Sequence, residues 1–253
     1  MAIKGNVVHK PVLNVVPDPI DPRDQTGIGS GVLASTSLPK SKDYSAETLP
    51  VDSQGQTGSC VGWATSYYRA WLHRRDTGQS KRFSQRFIWI AAKEIDPWPL
   101  NVMFDGAGTK IRDAFKIMNK HGAAPLTLWP FDKRLPDPSK EKTLIKQAEK
   151  YRIGAYYSLG TNEERRAQLA KRGPFVIGVP VFSNWSQVGS DGVIPEPGGF
   201  QRGGHALLVV GYDDKTGYFK VQNSWGTGWG KSGYGFISYK YMEEYCWSAW
   251  AAQ

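Results

Sequence analysis

The chain has 253 residues, a formal net charge of +9, 40% hydrophobic and 13% aromatic residues. That supplies apolar material for one large domain or two medium lobes and excludes a disordered chain. Lys and Arg fall in short runs such as 73–75 and 81–86. The charge therefore reads as a solvated basic surface, with no nucleic acid, no membrane and a monomeric state expected.

Residues 1–37 are dense in Pro, Asp and Gly, as in PDPIDPRDQTGIGSG. They read as a flexible tail, or as an arm or short pro-segment that packs on the body of residues 38–253 or covers a cleft. MAIKGNVVHKPVLNVV has no apolar run suited to a signal peptide. A soluble, cytoplasmic protein is the default, with export by a dedicated machine open.

QGQTGSC (54–60) then leads into a helix predicted over 60–75. Trp63, Tyr67 and Trp71 recur four apart, Arg74 and Arg75 suit its C-terminal end, and Gly78 stops it. Residues 84–94 also read as helical. A third helix runs through TKIRDAFKIMNKHG, with Thr109 as its cap and Gly122 as its end. Residues 139–151 form a charged, exposed helix, and Thr161 with Glu164 makes a capping box for another. After Pro174 the pattern turns to strands at 175–182, 205–213, 217–225 and 234–239. Helices first and strands second predict an α+β protein of two lobes.

The chemistry turns on Cys60. A thiol at a helix start is more often packing than a nucleophile, unless a base stands nearby. Of the four histidines, His9 lies in the arm, His73 is about 20 Å along the same helix from Cys60, and His121 ends a helix. His205 opens an apolar strand after Gly203 and Gly204. Asn223, at the end of the next strand, can orient its ring without adding charge, and Trp225 can shield that bond. Gln54 and the Cys60 N–H form a workable oxyanion pair. No Cys or His pair has zinc spacing, so neither metal nor cofactor is expected. Cys246 reads as packing.

These four pieces, in this order, resemble the papain family of cysteine peptidases, over roughly residues 38–245. NSWGTGWGKSGYG is similar to the family's segment around its Asn, and LPKSKDY, DGAGTKIRDAF, WPFD and DGVI have counterparts. QGQTGSC resembles the bacterial members. The resemblance implies a helical L-lobe and an antiparallel, β-barrel-like R-lobe with the active site between them. It implies Cys60 as nucleophile, His205 as base, Asn223 as orienter and Gln54 as oxyanion donor. Gly108, Thr109, Gly178, Gly204, Ala206 and Trp225 would line the substrate cleft.

Three departures stand out. Thr57 occupies a position often held by a disulfide cysteine, Val61 replaces the usual aromatic residue after the nucleophile, and Gly204 stands where a polar residue often precedes the base. The expected activity is endopeptidase cleavage of peptide or protein substrates. Acyl transfer on the same triad, or a non-catalytic binding module, are the alternatives, and the arm is a candidate occupant of the cleft.

Overall fold

In a computed structural model the described residues are 12–27, 31, 37–95 and 105–253. His9 lies outside them. The long helix α1 (Cys60–Thr77) is buried on every side from Cys60 to Leu72, and its polar Thr65, Ser66 and Arg69 donate there to the Val61, Trp63 and Tyr151 carbonyls. Gly78 ends it in the left-handed conformation (φ 72°), donating its N–H to the Arg74 carbonyl. Helices α2 (Gln85–Ile95), α3 (Ile111–Lys120) and α4 (Glu141–Ala148) pack with α1 in one cluster that includes Trp63, Tyr68, Phe115 and Met118.

The cap of α3 differs from the sequence expectation. Lys110 is the N-cap residue and makes no side-chain cap bond. The Thr109 carbonyl instead accepts a 3.4 Å bond from the Val16 N–H. Tertiary contact has overridden a local capping preference.

The second half supplies α5 (Asn162–Lys171), α6 (Tyr239–Tyr245) and most of a sheet made of β1 (Ser41–Asp43), β2 (Tyr156–Ser158), β3 (Phe175–Phe182), β4 (Gln201–Asp213), β5 (Tyr218–Gln222), β6 (Tyr234–Ser238) and β7 (Ser248–Ala252). The order is β2-β7-β3-β4-β5-β6, every pair antiparallel, with β1 on β4. The sheet stays open: β2 and β6 are opposite edges and do not pair, so the barrel-like expectation is corrected.

Strand β4 is the organiser. Its alternate residues face opposite clusters: Ala206, Leu208 and Val210 join the helical core, while Leu207 and Val209 join a second core with Phe175, Phe219 and Tyr241. Burial on both faces is why 205–213 reads as an almost unbroken apolar run. One edge of β4 carries β3 and then β1; the other carries β5.

Residues 13–16 lie against the body of residues 38–253. Asn14 pairs in parallel with Gly204, and the Val15 N–H donates to the Gly204 carbonyl at 3.1 Å. Farther on, Ser158 N–H donates to the Gln25 carbonyl and Gly27 N–H to the Ser158 carbonyl, both at 2.8 Å, which caps the β2 edge.

Candidate active site

Helix α1 and strand β4 meet at the boundary of the two cores, and Cys60 and His205 sit there, each fully buried. The Ser59 hydroxyl bonds Thr57 Oγ1 at 2.6 Å and so does not cap the helix. The first N–H groups of α1 are left available, and those of Cys60 and Val61 point at the Cys60 sulfur. The Ala206 and Asn14 N–H groups reach the same sulfur. The thiol therefore lies beside the residue that follows His205.

His205 lies inside β4, opposite Val179, and does not open the strand as expected. Its Nε2 is 2.7 Å from Asn223 Oδ1. That oxygen also accepts the Ser224 N–H at 2.7 Å, which identifies it as the amide oxygen. An amide oxygen only accepts, so Nε2 carries the proton. Nδ1, buried and without a hydrogen-bond partner, then keeps the lone pair of the neutral ring. Trp225 lies against the imidazole, with ring centroids 4.4 Å apart.

Gln54 is 1% exposed and held at both ends. Its Oε1 accepts from Ser224 Oγ at 2.7 Å, and its Nε2 donates to the Thr57 carbonyl at 2.7 Å. One Nε2 proton remains for another acceptor. Ser224 thus ties Gln54 to Asn223, a role the sequence reading missed although Ser224 is the middle residue of its NSW tripeptide. Both cysteines are free thiols, and Cys246 is half-buried with Sγ directed at the Ser248 carbonyl. At the position where the resemblance leads one to expect a cysteine, Thr57 Oγ1 donates to the Gln54 carbonyl at 2.8 Å, and Gly58 N–H donates to the Asp105 carbonyl at 2.6 Å. Hydrogen bonds hold this loop in place of a disulfide.

The expected cleft residues divide between the two sides of the segment 13–16. On one side, a Cβ on Gly108 would lie 1.5 Å from the Asn14 carbonyl oxygen, so only glycine lets that backbone pass. On the other, a Cβ on Gly204 would lie 2.5 Å from the Val15 carbonyl oxygen. A Cβ on Gly178 would meet Val15 Cγ1 at 3.2 Å and Ile111 Cδ1 at 3.0 Å. Gly108, Thr109, Gly178, Gly204 and Ala206 therefore all line the strip where residues 13–16 lie. Trp225 sits apart, over His205. Among the described residues no group of His, Cys, Asp or Glu could hold a metal ion.

Burial decides the protonation state. It pushes His205 down to about 4, against the opposing bond to Asn223. It pushes Cys60 up to about 11, with the surrounding N–H groups offsetting only part of the effect. In this arrangement the pair is a neutral thiol and a neutral imidazole.

A stability prediction follows from His205. Unfolded, it takes up a proton near pH 6.5; folded, only near pH 4. Between those values the unfolded state binds more protons, so this contribution is complete above about pH 6.5 and is lost as pH falls toward 4, on the order of 3 kcal/mol. Urea unfolding at pH 7.0, 5.5 and 4.5 should show the decline, and His205→Gln should flatten it. An unchanged slope in the variant would remove His205 as the source.

A thiol at a helix start, an imidazole of fixed tautomer and a held side-chain amide thus come together on a two-lobed α+β fold. The profile of the papain family cysteine proteases matches residues 38–249. The chain belongs to that family. Xylellain, a cysteine protease from Xylella fastidiosa, superposes with a TM-score of 0.81 at 30% identity, covering 96% of each chain. A peptidase C1-like protein of Acanthamoeba polyphaga mimivirus is 29% identical over 76% of this chain and 65% of its own length. Cathepsin L of Sarcophaga peregrina is 26% identical over 84% of this chain and 63% of its own. The chain spans 65%, 61% and 41% of the first three curated relatives it matches. A digestive procathepsin L of Tenebrio molitor shares the fold, at 22% identity and a TM-score of 0.70.

Proposed function

We propose that this chain is a cysteine endopeptidase working through Cys60, His205, Asn223 and Gln54. The observation that carries the reading is the His205 tautomer: Nε2–H bound to Asn223 leaves Nδ1 as the basic atom. Nδ1 takes the Cys60 proton, and the thiolate attacks the scissile carbonyl. The free Gln54 Nε2 proton and the Cys60 N–H then receive the oxyanion. The imidazolium returns its proton to the leaving amine, and water hydrolyses the thioester.

Residues 13–16 are, on this reading, a cleft-blocking part of the N-terminal segment. Asn14 lies at the thiol and Val15 in the apolar pocket lined by Gly178 and Ile111. While they stay, burial holds both catalytic groups neutral. Their departure hydrates the pair and permits the thiolate–imidazolium form.

The test is hydrolysis of a mixed peptide library, with and without an added primary amine, read by mass spectrometry. Endopeptidase action predicts new free carboxyl ends that disappear after Cys60 is alkylated. Products joined to the amine in preference to water would point to acyl transfer, and an intact library to a binding module.

A further inference from the structure

The pocket that takes Val15 does not end in apolar walls. Two residues of β7 and the first turn of α3 close its far end, and the carboxylate of Asp18 is lodged there. Trp250 Nε1–H donates to Asp18 Oδ2 at 2.7 Å, and the Arg112 backbone N–H donates to Oδ1 at 3.2 Å. Ser248, 6% exposed, faces the same carboxylate, and its buried Oγ has no hydrogen-bond partner. Ser248 also borders Gly178 on the Val15 side, so apolar pocket and polar end share a wall. Behind them the Arg112 guanidinium pairs with Asp24 at 2.8 Å and lies 3.9 Å from Asp21. A cavity of about 200 Å³, lined by Pro19, Asp24, Ser248 and Trp250 among others, adjoins this end.

The occupant belongs to the N-terminal segment, whereas every group that binds it belongs to the body. We propose that this recess is a specificity site for an acidic side chain of the substrate, which Asp18 fills in the closed form. The inference rests on the peptidase reading and on residues 13–18 leaving the cleft.

The donors decide the ligand. Trp250 Nε1–H and Arg112 N–H can only donate, so they need an acceptor whenever Asp18 withdraws. An apolar side chain would leave both unpaired. An Asn or Gln side chain would bring an NH₂ group toward two donors and a guanidinium. A carboxylate satisfies the donors and matches the positive end of α3 as well as the Arg112 charge. The adjoining cavity has room for the extra methylene of Glu. Burial pushes Asp18 above the ordinary carboxylate range, with the donors pulling back part of the way.

Two measurements test the recess, one of them independent of turnover. In the full chain carrying Asp18→Ala, the Trp250 indole N–H resonance, assigned by its loss in Trp250→Phe, is followed while N-acetyl-aspartate or N-acetyl-asparagine is added. A saturable shift with the acid only is expected; no shift, or equal shifts, overturns the proposal even if peptides are cleaved. The second measurement compares peptides differing only by Asp, Asn or Leu at positions two to four before the cleaved bond. The acid should raise kcat/KM by about tenfold over the amide, and in Trp250→Phe that acid-to-amide ratio should fall to about one. A preference that survives Trp250→Phe would place acid recognition elsewhere. Failure of all peptides alongside a normal indole shift would count against the peptidase reading and leave the recess standing.

Discussion

Cys60→Ala is expected to lower peptide hydrolysis by roughly 10⁴-fold or more, to the level left by binding alone. No other group in the cleft can replace the sulfur: the nearest hydroxyl on the chain, Ser59, is already bonded to Thr57. His205→Ala should cost a similar factor, and the double variant little more than either single one, because base and nucleophile act as a unit. The fold should survive. Cys60 is a small residue in a large core, and its loss to Ala removes one sulfur from a cluster dominated by Trp and Tyr. Circular dichroism and the urea midpoint will verify this. Appreciable turnover by well-folded Cys60→Ala protein would sink the mechanism.

Val15→Asp is expected to act in the opposite direction. Val15 is 5% exposed and packed in the apolar pocket beside Gly178 and Ile111. An unpaired carboxylate there costs about 3 kcal/mol or more. The body can avoid this cost by releasing residues 13–16, since their contacts with it are a few hydrogen bonds and the two buried side chains of Leu13 and Val15. Release exposes Cys60, so its alkylation rate should rise about 100-fold at neutral pH, and peptide turnover should rise with it. Val15→Ile, which keeps the pocket filled, should leave the rate within a few-fold of the parent chain. If Val15→Asp labels no faster than the parent, residues 13–16 do not block the thiol.

The two predictions separate chemistry from access. The first depends on the sulfur whatever covers it. The second depends on what covers it whatever the reaction. Xylellain provides a comparison over nearly the full length of the chain, and the same pair of substitutions at its matching positions would show whether both features travel together.

Much of the machinery was legible in the residues themselves. Cys60 stands at a helix start because the apolar pattern begins there, and the period of Trp63, Tyr67 and Trp71 alone marks the helix. The turn DDKTGY makes β4 and β5 antiparallel neighbours, which is enough to predict that His205 and Asn223 meet. Apolar runs and turn residues likewise identified β3 to β6. Those features depend on short-range periodicity and turn chemistry, which a linear sequence displays directly.

Other features needed the fold. β1 and β2 have three residues each, and β1, β2 and β7 pair with partners far away in the chain, so no local pattern announces them. Thr109 has the chemistry of a cap, yet its carbonyl is used by Val16. Ser224 is an ordinary serine until Gln54, about 170 residues away, turns its amide oxygen toward it. Asp18 reads as one of several acids in a Pro-rich stretch until Trp250 and the α3 N-terminus close around its carboxylate. The residue types capable of the chemistry, and the order in which they occur, were determined by sequence alone. Which atoms meet, which proton is fixed and what covers the thiol were decided by tertiary structure, because long-range contact and burial set hydrogen-bond geometry and the pKa of a group that carries no charge-determining neighbour in the chain.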